Sequence, residues 1–348
     1  MAAADTTRTL RIGLAGLGRF GALHASVLSD LPGVTLAAVC DPDPTRVNEI
    51  GDRHGVYGRY PALEEMLDRE QLDAVFLVTP EDLHAAQAKQ VLARKLPLFL
   101  EKPMATSHAE GREILDAARA AGVHLQIGFV VRFDLQHAIL RSEIANGEFG
   151  PLVSLRVKRN CSRAWFPTYG NRAHTIYETS IHDIDLLLWL VGQPCVSVYA
   201  LDRNVSSMRY PDGCWALLRF ADETVAMIET SWFVPSGAPA NVVTPDWHGT
   251  IDARIEVVGT ERTASISLLD TGMAIWRPDL TAQPETALWP EAFGSIGGAL
   301  RQEDRHFVEC VRTGAPSSIA SAEDALEGLR IAEAIVRSTE EHQEIRLR

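Results

Sequence analysis

The chain has 348 residues, of which 46% are hydrophobic and 23% charged, as is typical of a globular protein. This length exceeds one ordinary hydrophobic core and favours two domains. The formal net charge of −13 at pH 7 disfavours nucleic-acid binding, because a phosphate backbone would be repelled. The densest basic cluster lies on and just after a predicted strand, where we expect a solvated face: Arg156, Lys158, Arg159 and Arg163.

The five cysteines are scattered, odd in number and without CxxC spacing, which disfavours a disulfide framework or a zinc site. The first residues lack the apolar segment of a secretory signal. No window approaches the ~20 apolar residues that a membrane span needs. We therefore predict a cytoplasmic protein without a membrane partner.

The first predicted strand runs into the pattern Gly16-x-Gly18-x-x-Gly21, and a predicted helix over residues 20–28 follows. The first glycine permits a tight turn, and the second lets the backbone approach a pyrophosphate. The third lets the helix pack closely on the strand, while the helix N-terminus offers N–H groups to the phosphates. This order of strand, glycines and helix predicts a dinucleotide site.

A second predicted strand, over residues 34–40, ends at Asp41, which follows Gly21 by 20 residues. That spacing is expected of the acid that binds the adenine ribose. A carboxylate there binds the free 2′-hydroxyl of NAD and repels the 2′-phosphate of NADP, although Arg46 could weaken the preference. We predict NAD as the cofactor, with NADP less favoured.

Strands and helices alternate up to residue 128, which is typical of a parallel sheet covered by helices on both faces. The further predicted helices cover residues 44–54, 61–69, 82–94 and 107–121, and the further strands cover 74–78, 96–100 and 123–128. Ligands of such doubly wound sheets bind at the carboxyl ends of the strands.

Beyond residue 128, longer strands separated by turns predict a mostly antiparallel open sheet, interrupted by one helix over residues 178–191. The predicted strands cover residues 152–159, 196–201, 214–220, 224–233, 251–258, 263–268 and 273–276. The other predicted helices cover residues 133–146, 299–312 and 322–341. Residues 235–249 and 278–298 are predicted to be irregular. The expected architecture is a Rossmann α/β domain over residues 1–128, followed by an α+β domain over residues 129–348.

In chain order, a set of short motifs resembles that of the Gfo/Idh/MocA oxidoreductase family, and the match covers nearly the whole chain. The motifs are Gly16-Leu17-Gly18-Arg19-Phe20-Gly21, Asp41, Thr79-Pro80 with His84, Glu101-Lys102-Pro103, Gly128-Phe129 with Arg132-Phe133, and His182-Asp183-Ile184-Asp185. The resemblance implies an NAD(P)-dependent oxidoreductase of two domains that acts on sugars, polyols or related hydroxyl compounds. Around the cofactor we expect Gly16, Gly18, Arg19, Phe20, Gly21, Asp41, Arg46, Thr79, Pro80, His84, Glu101, Lys102 and Arg132.

Lys102 directly follows a predicted strand, where an ammonium group can hydrogen-bond a reacting oxygen, although most lysines at strand ends are surface residues. In the family, the lysine of this motif is catalytic and touches both the substrate hydroxyl and the nicotinamide ribose. The resemblance therefore implies a catalytic role for Lys102.

His182 follows Glu178 by four residues, so both are expected on one helix face. A carboxylate can orient the imidazole, which then exchanges a proton with an alcohol or carbonyl oxygen. A histidine paired on a helix surface is the plainer interpretation, but the resemblance implies an Asp-x-x-x-His catalytic pair here. This chain has Glu178 where many relatives have Asp, which leaves the substrate class open.

His174, Glu178 and His182 are spaced four and four and could form a metal-binding stripe. His174 precedes the predicted helix, however, and hydride transfer needs no metal where a lysine polarises the oxygen, so no metal is expected. We expect Asp183 and Asp185 to be structural, although Asp185 could face the nicotinamide.

Aromatic faces with amide and guanidinium donors suit a polyhydroxylated ring. The expected substrate-binding residues are Lys102, Arg132, Trp165, Arg172, His174, Glu178 and His182. Trp165 and Phe166 could equally be core residues. Asp246-Trp247-His248, within residues 235–249, could reach an active site of the same or a neighbouring subunit, but a surface loop is favoured.

These features predict hydride transfer from a secondary hydroxyl of a cyclic polyol or pyranose (an inositol, an aldose or an anhydro-sugar), with the substrate between the domains. The alternatives are a lyase or glycoside-cleaving enzyme that oxidises transiently with no net redox, a keto-sugar reductase, and an NAD-binding sensor without activity. An apolar outer face on the open sheet would need a cover, which predicts a homodimer or homotetramer.

Overall fold

The computed structural model describes residues 8–243, 248–270, 272–278 and 280–347. The chain forms two compact units. Unit 1 comprises the described residues up to Phe133 together with Leu288–Leu326, and unit 2 comprises Asp134–Ala287 and the chain from Glu327 onward. The boundary expected after residue 128 differs from this division because a later segment returns to unit 1. Helix periodicity indicates which face of a helix is apolar but not which sheet that face covers.

Strands and helices alternate in the first part of unit 1. The strands are β1 (Leu10–Ala15), β2 (Val34–Cys40), β3 (Gly58–Tyr60), β4 (Ala74–Leu77), β5 (Leu98–Glu101) and β6 (Leu125–Gly128). The helices are α1 (Arg19–Asp30), α2 (Pro44–His54), α3 (Leu63–Arg69), α4 (His84–Ala93) and α5 (His108–Ala121), with 3₁₀ turns at Glu81–Leu83 and Val130–Phe133.

In the part of unit 1 that the structure describes, these six strands form one parallel sheet in the order β3-β2-β1-β4-β5-β6. The order reverses between β1 and β4, and ligands of such sheets bind at this switch point, outside the carboxyl ends of the strands. The predicted doubly wound sheet is confirmed. The edge strand β3, only three residues long, was not predicted.

Local signals explain why several predicted bounds agree with the structure. Helix α2 begins where the Asp43 side chain accepts a hydrogen bond from the backbone N–H of Thr45 and ends at Gly55 in the left-handed conformation. Helix α5 likewise follows Ser107, whose hydroxyl accepts from the N–H of Glu110. These caps satisfy backbone groups that the first helical turn leaves without an intrahelical partner.

Unit 2 begins with α6 (Leu135–Ala145), and its elements run in sequence to residue 282. The strands are β7 (Leu152–Ser162), β8 (Cys195–Arg203), β9 (Gly213–Phe220), β10 (Val225–Val234), β11 (Val242–Val243), β12 (His248–Gly249), β13 (Ile251–Gly259), β14 (Thr263–Ser267), β15 (Ile275–Trp276) and β16 (Thr281–Ala282). The other helices are α7 (Phe166–Tyr169) and α8 (Ile181–Val191), with a 3₁₀ turn at Arg163–Trp165 and a π-helical turn at Ile176–Ser180.

The remaining elements are β17 (Glu291–Ala292), β18 (Ser295–Ile296), α9 (Gly298–Thr313), α10 (Ala322–Glu341) and β19 (Ile345–Arg346). The first three of these belong to unit 1. Phe307 of α9 meets the rings of Phe76 and Phe99 at centroid distances of 5.1 and 5.7 Å. This apolar contact explains why α9 returns to the first sheet.

Within the described residues, the main sheet of unit 2 has seven strands in the order β14-β13-β7-β10-β9-β8-β19. All neighbours are antiparallel except β7 and β10, which are parallel. The predicted mostly antiparallel sheet is therefore confirmed. Residues 235–249, predicted as a loop, contain the short pair β11–β12, while Asp246 and Trp247 lie outside the described residues.

The expectation of a solvated basic face on β7 is wrong for Arg159. Side chains alternate along a strand, so Arg159 faces the side opposite to Arg156 and Lys158. Arg159 is buried and binds the Asp183 carboxylate through two nitrogens, with an Nη2–Oδ1 distance of 2.8 Å. Among the described helices, none is long and apolar enough to cross a membrane.

Candidate functional site

The glycine-rich turn after β1 has no room for side chains at two of its positions. Gly16 has a φ of +90°, and a Cβ there would overlap the backbone carbonyl of Val78. A Cβ at Gly21 would overlap the carbonyl oxygen of Gly16. At Gly18, in contrast, a Cβ would meet no atom within 4 Å, so the backbone at the start of α1 borders open space. An exposed backbone at a helix N-terminus fits the pyrophosphate of a dinucleotide.

Arg19 and Phe20 begin α1 directly after this turn. The Phe20 ring packs edge-on against Trp289 at a centroid distance of 5.3 Å, and the Arg19 guanidinium lies 5.7 Å from the same ring. Trp289 belongs to the segment that returns to unit 1. That contact was not predicted, because Trp289 is remote in the sequence.

Asp41, at the end of β2, lies beside the same turn. Its Oδ2 accepts a hydrogen bond from the N–H of Leu17 at 2.7 Å, and its Oδ1 accepts from the N–H of Asp43 at 2.9 Å. The half-exposed Arg46 places Nη1 3.8 Å from Asp41 Oδ1. The carboxylate is therefore fixed next to the backbone of the glycine-rich turn, and its contact with a ribose stays a prediction.

Lys102 directly follows β5, and its backbone N–H donates to Oε2 of Glu101 at 2.9 Å. The next residue is also held, because the carbonyl oxygen of Pro103 lies 2.8 Å from Nδ1 of His84. The other ring nitrogen of His84 lies 2.8 Å from the carbonyl oxygen of Thr79. The end of β5 is thereby tied to the loop after β4.

This geometry corrects the expectation for His84. Its side chain is buried and lies between two strand-end loops, so the expected contact of this side chain with the cofactor is not supported. Burial lowers the pKa of His84 below its ordinary value. Thr79 and Pro80 stay partly or fully exposed at the end of β4, and the Thr79 hydroxyl donates to Gln87.

Behind Lys102 lies a buried charged cluster that the sequence did not reveal. Oε1 of Glu101 lies 3.3 Å from Nε2 of His24, and Nδ1 of His24 lies 2.9 Å from Oδ1 of Asp304. His24 lies on the buried face of α1 and Asp304 on α9. A histidine on an apolar helix face was the only available signal, since Asp304 is 280 residues away in sequence.

Arg132 has a different place from the one predicted. Its side chain is only 1% exposed, and Nη1 donates to the carbonyl oxygen of Ile319 at 2.7 Å and to Asp324 at 3.0 Å. Both partners belong to unit 1. The buried guanidinium therefore secures the closing segment of unit 1, and the expected contacts with cofactor and substrate are not supported.

In unit 2, Glu178 lies within the π-helical turn Ile176–Ser180, whereas His182 lies in the first turn of α8. The expected stacking of residues four apart assumed an uninterrupted α-helix, and a π-helical turn changes that register. Oε2 of Glu178 is 3.2 Å from Nη2 of Arg172, whose guanidinium lies 5.1 Å from the Tyr169 ring. Single π turns occur frequently at functional sites.

His174 precedes the π-helical turn and is buried. Its Nδ1 accepts from the N–H of Ile176 at 3.2 Å, and its ring packs edge-on against Tyr210 at 5.8 Å. Burial lowers the pKa of His174 to about 4. Within the described residues, no group of three or more His, Cys, Asp or Glu side chains is arranged to hold a metal ion.

Trp165 is a core residue of unit 2, which agrees with the core alternative for Trp165 and Phe166 and not with the expected contact with substrate. It is 5% exposed and packs in a cluster with Cys161, Phe166, Trp232 and Val242. Gly249 lies so close that a Cβ there would overlap the indole ring. Because the Trp165 ring is closely packed in this cluster, it does not present an aromatic face to which a sugar could bind.

Comparison with known proteins extends these observations. An oxidoreductase family with an NAD-binding Rossmann fold matches residues 10–129, and its C-terminal alpha/beta domain matches residues 141–347. An inositol 2-dehydrogenase of Leifsonia xyli subsp. xyli is 33% identical over 56% of this chain and 57% of its own length, so this match spans little more than half of that relative. An inositol 2-dehydrogenase of Mycolicibacterium smegmatis is 31% identical over 88% of this chain and 85% of its own.

The fold is shared with scyllo-inositol dehydrogenase from Lactobacillus casei, whose solved structure contains NAD(H) and scyllo-inositol. The two align with a TM-score of 0.82 at 23% identity, covering 97% of this chain and 99% of that one. The two family matches together cover most of the chain and confirm the resemblance seen in the motifs. The chain therefore belongs to the Gfo/Idh/MocA family, the oxidoreductases with an NAD-binding Rossmann fold.

Proposed function

We propose that this protein is an NAD-dependent dehydrogenase that oxidises a secondary hydroxyl of a cyclic polyol or pyranose sugar. The main support is that Lys102 stands at the carboxyl end of β5, the same edge of the parallel sheet as the glycine-rich turn and Asp41. Ligands of such sheets bind at this edge. Inositols are the first substrates to test, because relatives of the chain are named inositol 2-dehydrogenases.

In the proposed mechanism, the glycine-rich turn and Asp41 hold NAD, which supplies a hydride acceptor when bound. His182 takes the proton of the substrate hydroxyl. The Lys102 ammonium group donates a hydrogen bond to the oxygen as negative charge develops there. Glu178, held by Arg172, sets the electrostatic surroundings of the π-helical turn before α8.

We also propose that the protein forms a homodimer or homotetramer through the outer face of the large sheet. On that face, Tyr199 of β8 pairs with Leu217 of β9, which pairs in turn with Met227 of β10. These side chains are 40, 46 and 41% exposed, and Leu201 and Trp215 extend the apolar surface. A contiguous apolar patch of this kind is typical of an interface.

Sedimentation velocity tests this assembly. The wild type should sediment as a dimer or tetramer, and Leu217→Glu should yield a smaller species because the charge lies at the centre of the apolar patch. Val205→Glu, at an exposed site outside the sheet, is the matched control. A monomeric wild type would disprove the assembly.

NADH formation tests the activity. Purified protein is mixed with NAD or NADP and with myo-inositol, scyllo-inositol, glucose or an anhydro-alditol. Lys102→Met and His182→Gln should each abolish turnover that the wild type sustains with NAD. Lys89→Met, which alters an exposed lysine paired with Glu113, and the exposed His342→Gln are the controls and should keep it.

The other hypotheses give distinct outcomes in the same assay. One outcome is that NAD remains tightly bound through purification while no substrate gives net NADH formation. This outcome would favour an enzyme that oxidises transiently, or an NAD sensor, over a dehydrogenase. Consumption of added NADH with a keto-inositol, and no reaction in the forward direction, would favour a reductase.

A further inference from the structure

We propose that His24 is a positioning residue for Lys102: held by Asp304, it fixes the Glu101 carboxylate, which in turn holds the Lys102 backbone. This inference rests on the proposed catalytic role of Lys102. The three steps are continuous in space. Nδ1 of His24 lies 2.9 Å from Asp304, Nε2 lies 3.3 Å from Oε1 of Glu101, and Oε2 of Glu101 accepts the N–H of Lys102 at 2.9 Å.

The protonation of His24 follows from its partners. Both ring nitrogens face carboxylates, which accept hydrogen bonds when ionised, so only the doubly protonated imidazolium donates on both sides. Burial by itself lowers the pKa of His24, but the charges and hydrogen bonds of Asp304 and Glu101 outweigh it and raise the pKa to about 10. The two facing carboxylates therefore favour the protonated form of His24, while burial also raises the pKa of Asp304.

The surroundings of the cluster limit its movement. The imidazole is completely buried and packs against Phe76 and Phe99 at centroid distances of 5.7 and 5.2 Å. A Cβ at Gly128 would lie 2.8 Å from Oε1 of Glu101, so a glycine at the end of β6 leaves the space that this carboxylate occupies. Hydrogen bonds between charged groups are stronger in such a low-dielectric interior than in water.

Three remote segments therefore converge on one backbone position. His24 comes from the helix after the glycine-rich turn, Asp304 from α9, and Glu101 from the end of β5. Because the Glu101 carboxylate binds the backbone N–H of Lys102, a displaced carboxylate would also displace the Lys102 backbone, from which the lysine side chain extends. A displacement of about 1 Å of a positioned group can cost about 100-fold in rate.

The first experiment requires no enzymatic activity, and its one variant serves only to assign the His24 signals. The ring nitrogens of ¹⁵N-histidine-labelled protein are observed by NMR at pH 8, with His24 assigned by its absence from the spectrum of His24→Gln. Two protonated ring nitrogens support the inference. A neutral His24 ring at this pH would overturn it.

Hydrogen exchange of the peptide that contains Lys102 measures the positioning itself. We expect this amide to exchange about 10-fold faster in His24→Gln and in Asp304→Asn, because Glu101 loses its buried partner. His124→Gln is the matched control, since His124 packs on Phe307 in the same unit and lies outside the cluster. Unchanged exchange at Lys102 in folded His24→Gln would contradict the inference.

Kinetics with NAD and myo-inositol, or whichever substrate the panel identifies, complete the test. His24→Gln should lower kcat about 10- to 100-fold while the NAD dissociation constant changes little. The double variant with Glu101→Gln should lose less than the product of the two single losses, because the two act on one interaction. Faster exchange with an unaltered kcat would overturn the positioning role. An inactive wild type would refute the proposed function. In that case the hydrogen-exchange result alone tests whether His24 holds the Lys102 backbone.

Discussion

The segments that carry Lys102 and Glu178 are held in different ways. The Lys102 segment lies between two buried histidines, with His24 bound to Glu101 on one side and His84 bound to the Pro103 carbonyl on the other. The π-helical turn that carries Glu178 is secured on its polar side by Arg172, whose side chain is 47% exposed. Burial therefore fixes the segment predicted to serve a common cofactor. Glu178, which is predicted to contact a variable substrate, has a half-exposed partner, although Ile176, Thr179 and Ser180 of the same turn are buried.

Two buried histidines extend the comparison. His24 faces two carboxylates and its pKa is raised to about 10, whereas burial lowers the pKa of His174 to about 4. His174 accepts a hydrogen bond from a backbone N–H, which requires an unprotonated ring nitrogen. The same side chain is a cation in unit 1 and a neutral acceptor in unit 2 because the groups that face it differ.

The largest effect is expected in unit 1, from Gly21→Ala at the start of α1, the helix that also carries His24. The added Cβ would overlap the carbonyl oxygen of Gly16, so the free energy of unfolding should fall by about 3 kcal/mol. Gly18→Ala is the control, because its Cβ enters open space. It should leave the stability of the apo protein within about 1 kcal/mol while weakening NAD binding. Urea unfolding and calorimetric titration with NAD measure both, and equal unfolding midpoints for the two variants would refute the steric explanation.

The next effect tests the π-helical turn that carries Glu178. Glu178→Gln keeps the size of the side chain but removes the charge, and we expect kcat to fall about 10- to 100-fold with little change in the melting temperature. Arg172→Gln should have a smaller effect, because it removes only a half-exposed partner. Steady-state kinetics and thermal unfolding distinguish the cases. A large loss of stability in Glu178→Gln would mean that this segment is as rigidly held as the other.

Asp41 should have an intermediate effect confined to the cofactor. Asp41→Asn keeps an acceptor for the Leu17 N–H but removes the charge, so we expect about a 10-fold loss of NAD affinity and a gain in relative affinity for NADP. Asp43→Asn is a suitable control, since its side chain caps α2. Fluorescence titration with both nucleotides measures the ratio, and an unchanged NAD-to-NADP ratio would remove Asp41 from cofactor selection.

The last test concerns the pH dependence of stability, in which the two histidines should act in opposite directions. The folded pKa of His24 lies above its ordinary 6.5, so its stabilising contribution is complete below pH 6.5 and is lost as pH rises towards about 10. The folded pKa of His174 lies below 6.5, so its contribution is complete above pH 6.5 and is lost as pH falls towards about 4.

Urea midpoints of wild type, His24→Gln and His174→Gln between pH 5 and 9 measure these contributions. The difference between wild type and His24→Gln should shrink on the alkaline side, and the difference for His174→Gln on the acid side. Parallel curves for the two variants would show that the histidines do not differ in charge.

The sequence predicted what depends on neighbouring residues. The glycine-rich turn is local, and the strand and helix predicted around it are present as β1 and α1. The predicted bounds of α2 agree with its local caps. The side-chain roles that failed depend on remote partners. The position of Arg132 is explained by Ile319 and Asp324, and that of Trp165 by the packing of several separate segments. No pattern around these residues indicates such partners.

The π-helical turn was missed for a different reason. A hydrophobic pattern over about ten residues identifies the apolar face of a helix. It does not reveal that one turn contains an additional residue, as a π-helical turn does. The predicted pairing of Glu178 with His182 assumed an uninterrupted helix and stays a prediction. The pattern predicted a helix here but not the π-helical turn that carries Glu178.

The return of residues 288–326 to unit 1 has a consequence for how the protein is made. The cluster around His24 lacks Asp304, and the rings of Phe76 and Phe99 lack Phe307, until most of the chain has left the ribosome. Domains generally fold during synthesis from the N-terminus onward. Here the nucleotide-binding domain, although it begins first, has to wait for a late segment, and until then His24, Phe76 and Phe99 lack partners that they have in the folded protein.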